Sequence, residues 1–191
     1  MNGKLQVKTL SGSTHSSTLI RILEVLLLVG AGMIAILLHA RFKSPINIPG
    51  HHGIEFMAIF IVARMSSNMK FAGTISAVGI GSLLMFNIFG FTNPLMGFYY
   101  MIPGIMLDIL YNSFNRWNSK YYAIALFSGF AYMTIPILKT LLFLSAGIPY
   151  LSLLKHGYIV PFAGFFIFGF LGGLAGYTIV KGVKSIKQKN K

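Results

Sequence analysis

Residues 18–38 read TLIRILEVLLLVGAGMIAILL, and this run decides the medium in which the chain folds. Its only charges, Arg21 and Glu24, lie near the start, and everything from Val25 to Leu38 is uncharged. About 20 apolar residues, rising ~1.5 Å each, cross a hydrocarbon core of ~30 Å. A secretory signal has an apolar core of only ~7–15 residues followed by a small-residue cleavage site. No such site follows Leu38, so the run is expected to persist as a membrane span.

The composition agrees. Hydrophobic residues make up 55% of the chain and charged residues only 10%, against roughly 25% charged in an average soluble domain. The mean hydropathy is +0.73, and glycine and phenylalanine are abundant, as in packed membrane helices. The net charge of +13 is a weak nucleic-acid footprint. The basic residues, however, sit between and beyond apolar runs, so no nucleic-acid partner is expected. With no cysteine, there is neither a disulfide framework nor a thiolate metal site.

Six apolar runs follow the same logic: 18–38, 54–65, 71–91, 94–114, 121–147 and 157–180. The second is short, about 18 Å of helix. Charge argues that it crosses. With six crossings, one side collects Lys4, Lys8, Arg64, Lys70, Arg116, Lys120, Lys181, Lys184, Lys187, Lys189 and Lys191, the other only Arg41, Lys43 and Lys155. Positive residues favour the cytoplasmic side. The expectation is an all-α polytopic membrane protein, a bundle of six transmembrane helices with both termini cytoplasmic. Residues 1–17 form a polar leader, 18–180 the membrane domain and 181–191 a basic tail suited to anionic lipid. Small residues four apart (Gly169/Gly173, Gly172/Gly176, Gly73/Ala77/Gly81, Ala31/Ala35) allow close helix approach. Pro103 and Pro136 are expected to kink the fourth and fifth spans.

The chain has three acids, and all lie in or beside spans, where an ionisable group needs a partner or a watery cavity. Glu24 stands three residues after Arg21 on one helix face, which predicts a local ion pair. Asp108 and Arg64 fall at compatible depths and are expected to pair structurally; a proton-relay role for Asp108 is the alternative. Lys139 lies about 27 Å up the fifth span by helix rise, near the height of His51, His52 and Glu55. Those residues open the second span in PGHHGIE, where free helix amides give a partly positive end. Together with Asn87, Tyr99 and Tyr100 they predict an outer, cation-rich pocket for an anionic or carbonyl-rich group, the aromatics favouring a ring. The competing reading has Lys139 snorkelling outward and Glu55 capping a helix. Adjacent histidines do not share a helix face, so no metal site is expected.

The sequence contains no GxSxG, HExxH, paired-aspartate or GxxxxGK[ST] motif, so neither catalysis, a cofactor nor ATP hydrolysis is expected of it. Three stretches carry a family likeness: Ala31-Gly-Met-Ile-Ala35 in the first span, ARFKSPINIPGHHG after it, and PGIMLDILY in the fourth. With six spans, inward termini and a basic tail, the chain resembles the substrate-binding S component of energy-coupling factor transporters. That resemblance implies a multi-pass protein of a prokaryotic cell membrane that binds a vitamin-like molecule in its outer half. It further implies docking through Ala31 and Ala35 on a membrane-embedded T subunit, coupled to two cytoplasmic ATPase subunits. The other readings are a small membrane scaffold with protein partners, or a lipid-modifying enzyme using Asp108 or His51.

Overall fold

The computed structural model describes residues 12–41, 48–86 and 95–189, and among these every regular element is helical. In order they are α1 (Gly12–Arg41), α2 (Gly53–Ser66), α3 (Ala72–Met85), α4 (Leu95–Ser113), α5 (Tyr121–Ala146), α6 (Leu151–His156) and α7 (Ile159–Lys189), with a 3-10 turn at Asn115–Trp117. Three of them are long and apolar enough to cross a membrane: α1 over Ser17–Leu38, α5 and α7. α2 and α3 have 14 residues each, or about 21 Å of helix, less than a ~30 Å core. Leu19, Leu23, Leu26 and Leu27 of α1 all point outward, Leu27 being 74% exposed. A face of that kind is solvated by lipid, and the protein is membrane-associated.

Two boundaries differ from expectation. α1 begins at Gly12, inside the expected leader, and α7 continues to Lys189, through most of the expected tail. Bilayer thickness limits only the apolar part of a helix. Beyond it, the lysines and glutamine of residues 181–189 are good helix formers, and the helix continues through them despite Gly182.

Small residues set the helix spacing. A Cβ added at Gly32 would run into the Ser76 carbonyl, and one at Gly79 into that of Val29, so α1 and α3 touch backbone to backbone. The α3–α4 crossing is similar, with a Cβ at Gly73 only 2.8 Å from the Gly104 carbonyl oxygen. α7 uses two faces. Gly169 and Gly173 meet α5, where the Ser128 hydroxyl donates to the Gly169 carbonyl at 2.7 Å, while Gly172 and Gly176 meet α2. The four-residue spacings therefore serve contacts within the chain. Ala35 is fully buried by them, which corrects the expectation that Ala31 and Ala35 are displayed together for docking. Only Ala31 remains partly exposed. Pro103 and Pro136 lie buried inside continuous α4 and α5.

A polar knot ties α2, α3 and α4 at the end of the molecule where Arg64 lies. Asp108 of α4 receives the α3 amides of Gly73 at 3.1 Å and Thr74 at 2.7 Å, and the Thr74 hydroxyl at 2.8 Å. It thus caps a helix N-terminus, where a carboxylate is favoured by the helix dipole. Arg64 Nε lies 3.1 Å from the same carboxylate. The other guanidinium nitrogens donate to the Met69 carbonyl and the Asn112 amide oxygen, both at 2.9 Å, and the Tyr111 ring lies 4.1 Å away. With both oxygens engaged, Asp108 is a structural group. The expected Arg21–Glu24 pair is not formed. Glu24 instead accepts from the Ser67 hydroxyl at 2.5 Å, because Ser67, just past the end of α2, brings a donor directly onto it.

Asp108→Ala should therefore lower stability by about 3–5 kcal/mol, since it strands a buried guanidinium. Arg21→Ala should change it by no more than ~0.5 kcal/mol, as expected for a surface position without special contacts. Thermal unfolding of the purified variants in detergent checks both; equal effects would contradict the assignment of Asp108 as the capping group.

Candidate functional site

At the opposite end, the turn before α2 brings two histidines over the helix interior. Gly50, at φ +87°, sits in the left-handed region that favours glycine. A side chain there would also strike α7, its Cβ falling 2.8 Å from Phe165 Cα. His51 Nδ1 lies 2.8 Å from the Ile48 carbonyl oxygen and therefore donates to it. His52 Nδ1 lies 2.7 Å from Glu55 Oε1. The two imidazoles face each other with centroids 3.9 Å apart. No group of three or more metal-ligating side chains occurs among the described residues.

Lys139 rises into this end from α5. Its ammonium lies 5.3 Å from the Tyr99 ring centroid and 5.7 Å from that of Tyr150, at distances where aromatic faces attract a cation. Two cavities meet at it. One, of about 330 Å³, extends towards His51, His52, Tyr100, Tyr132 and Phe165. The other, of about 310 Å³, extends towards Tyr99, Met96 and Pro149. Tyr132 and Phe165 are stacked, with centroids 4.8 Å apart, and form an apolar aromatic wall. Tyr150, Leu151 and Ser152 border both cavities. Lys155 and His156, at the exposed end of α6, complete the rim of the larger one.

The segment carrying those residues is bounded by glycines. Gly147, at φ +66°, ends α5 with its amide donating to the Phe143 carbonyl and the next amide to that of Leu142, a stop of the left-handed glycine type. Gly157 ends α6 at φ 67°, ψ −170°, a conformation nearly confined to glycine. α6 is thereby held across the cavity mouths. Tyr150, which leads into it, is largely buried. Burial pushes its phenol above the ordinary value.

The expected site residues divide as follows. His51, His52, Tyr100 and Lys139 border the larger cavity, and Tyr99 joins Lys139 at the smaller. Glu55 does not line either cavity but holds His52. Asn87 lies outside the described residues, as do residues 93–94. Sequence reasoning missed Tyr132, Phe165, Tyr150 and all of α6. Tyr132 had a signal: it precedes Lys139 by seven residues, two helical turns, and so shares its face.

A third concavity, also about 330 Å³, lies between α1, α2 and α7 towards the Arg64 end. Its lining is almost wholly apolar, including Leu27, Ala31, Val62 and Ile179, with Glu24 and Ser67 at one edge. Compared with family models, curated proteins and solved structures, the chain matches none.

Gly157→Ala should cost about 1–3 kcal/mol of strain and loosen α6. Hydrogen exchange read by mass spectrometry should then show faster exchange confined to residues 148–158. Unchanged exchange there would mean that the glycine does not hold α6 in place.

Proposed function

We propose that the protein is the substrate-binding subunit of a membrane importer, taking up a vitamin-like small molecule without transforming it. In this reading six helices cross a prokaryotic cell membrane with both termini in the cytoplasm, in the orientation that the basic residues favour. The Lys139 cavities then open outward. The observation that carries the reading is the pair of cavities meeting at Lys139 beneath α6. At a little over 300 Å³ each, they fall at the small end of the ~300–1,000 Å³ range of small-molecule sites. They combine aromatic walls with a few polar groups, as such sites do.

The chain carries no phosphate-binding loop, so the energy comes from elsewhere: a membrane-embedded T subunit and two cytoplasmic ATPase subunits. The apolar groove beside Ala31 offers a surface for a partner helix. It replaces the Ala31/Ala35 face, whose second member is buried inside the chain.

Native mass spectrometry of the purified chain should find a small molecule bound without any partner. Uptake into proteoliposomes should require the T subunit and active ATPases. A ligand-free chain that catalyses uptake unaided, or one that captures only proteins, would contradict the proposal, the latter favouring a scaffold.

A further inference from the structure

The three acidic side chains each have a partner other than Lys139. Asp108 holds Arg64 and the α3 amides, Glu55 holds His52, and Glu24 takes the Ser67 hydroxyl. Lys139 is half-buried among Tyr99, Tyr150 and the two cavities, and among the described residues it forms no ion pair with a carboxylate. A cation withdrawn from water is costly unless paired, and ring faces offset only part of that cost.

We infer that Lys139 is the counter-ion of a ligand carboxylate, and that the ligand is a small, planar, ring-bearing monocarboxylate. This rests on reading the Lys139 cavities as a binding site. The single charge follows from the single interior ammonium, since Lys155 and His156 belong to the exposed rim. A dianion such as a phosphate monoester would bring a second charge inward, where the wall offers the imidazoles of His51 and His52 rather than a second ammonium. The ring follows from the wall of the larger cavity. The stacked Tyr132 and Phe165, with Tyr100 nearby, offer flat faces on which an aromatic or heteroaromatic ring packs favourably. The volume of about 330 Å³ limits the ligand to one or two rings. This assignment separates the anionic from the neutral carbonyl-rich ligand, which the composition of the pocket alone does not.

The test uses the full chain in lipid nanodiscs and calorimetric titration with four probes: naphthoate, naphthamide, cyclohexanecarboxylate and naphthyl phosphate. Naphthoate should bind most tightly, with a preference over the amide of roughly tenfold or more, as expected when a charged hydrogen bond is lost. Lys139→Met should abolish that preference, whereas Lys139→Arg should keep part of it. Without any probe, Lys139→Met should melt at a higher temperature than the natural protein, because it removes an unpaired charge. Naphthoate should raise the melting temperature of the natural protein only. This also guards against a variant that simply misfolds.

If the amide or the phosphate binds as tightly as the acid, or Lys139→Met keeps the preference, the carboxylate assignment falls while the site remains. If cyclohexanecarboxylate equals naphthoate, the ring requirement falls. If no probe binds and the purified chain carries no small molecule, the binding-site reading falls with it.

Discussion

A charge placed in an apolar medium must find its partner within the fold, and the Arg64–Asp108 knot is where this chain meets that demand most completely. One carboxylate closes the N-terminus of α3, receives the Thr74 hydroxyl and faces the guanidinium of α2. That guanidinium in turn holds the carbonyl of Met69 and the amide of Asn112. Asn112 itself donates to the Lys70 carbonyl. The connection from α2 to α3 is therefore pinned to α4 along much of its length. In lipid, unsatisfied backbone groups cost several kcal/mol each and unpaired charges cost more, and this arrangement meets both demands at once.

With that end fixed, packing along the helices can rely on small residues. Lipid tails are as apolar as leucine and give helices no hydrophobic reason to associate, so attraction comes from close contact and hydrogen bonds. The glycines of α7 provide both of its neighbours with that contact, Gly169 and Gly173 on one side and Gly172 and Gly176 on the other. One helix can serve two partners because residues four apart share a face, whereas the neighbours Gly172 and Gly173 point about 100° apart around the helix. α2, although only 14 residues long, is held between α1 and α7 by this geometry, and the apolar groove beside Ala31 is walled by residues of all three.

Much of this was legible in the sequence, for reasons that are themselves physical. Apolar runs and small-residue spacings are dictated by the solvent and by helix period, and both can be counted along the chain. Arg64 and Asp108 could be matched because depth in a membrane orders residues far apart in sequence. The Arg21–Glu24 pair failed because a local spacing says nothing of competing donors, and Ser67 is such a competitor. The Ala31/Ala35 face failed likewise: a spacing shows that a helix can be approached closely, not which helix approaches it. At the site, His51, His52 and Lys139 were visible as polar exceptions in apolar surroundings. α6 was not, because six residues between two glycines carry too little period to be read as a helix.

The two ends of the molecule solve the same problem differently. At the Arg64 end the chain supplies both members of the ion pair, so the structure there is complete and has nothing to gain from an outside anion. At the Lys139 end it supplies the cation, the aromatic wall and the covering helix, while the nearby carboxylate, Glu55, is taken by His52. A chain with so few acids could have avoided the imbalance by using a neutral residue at position 139. Under the proposed function the imbalance has a consequence: whatever completes the pair stabilises the occupied state over the empty one, in proportion to its concentration relative to its dissociation constant. Tyr150 and Ser152, which border both cavities next to that ammonium, connect this gain to the α6 segment. In that reading, occupancy and the order of the covering segment are linked through Tyr150 and Ser152.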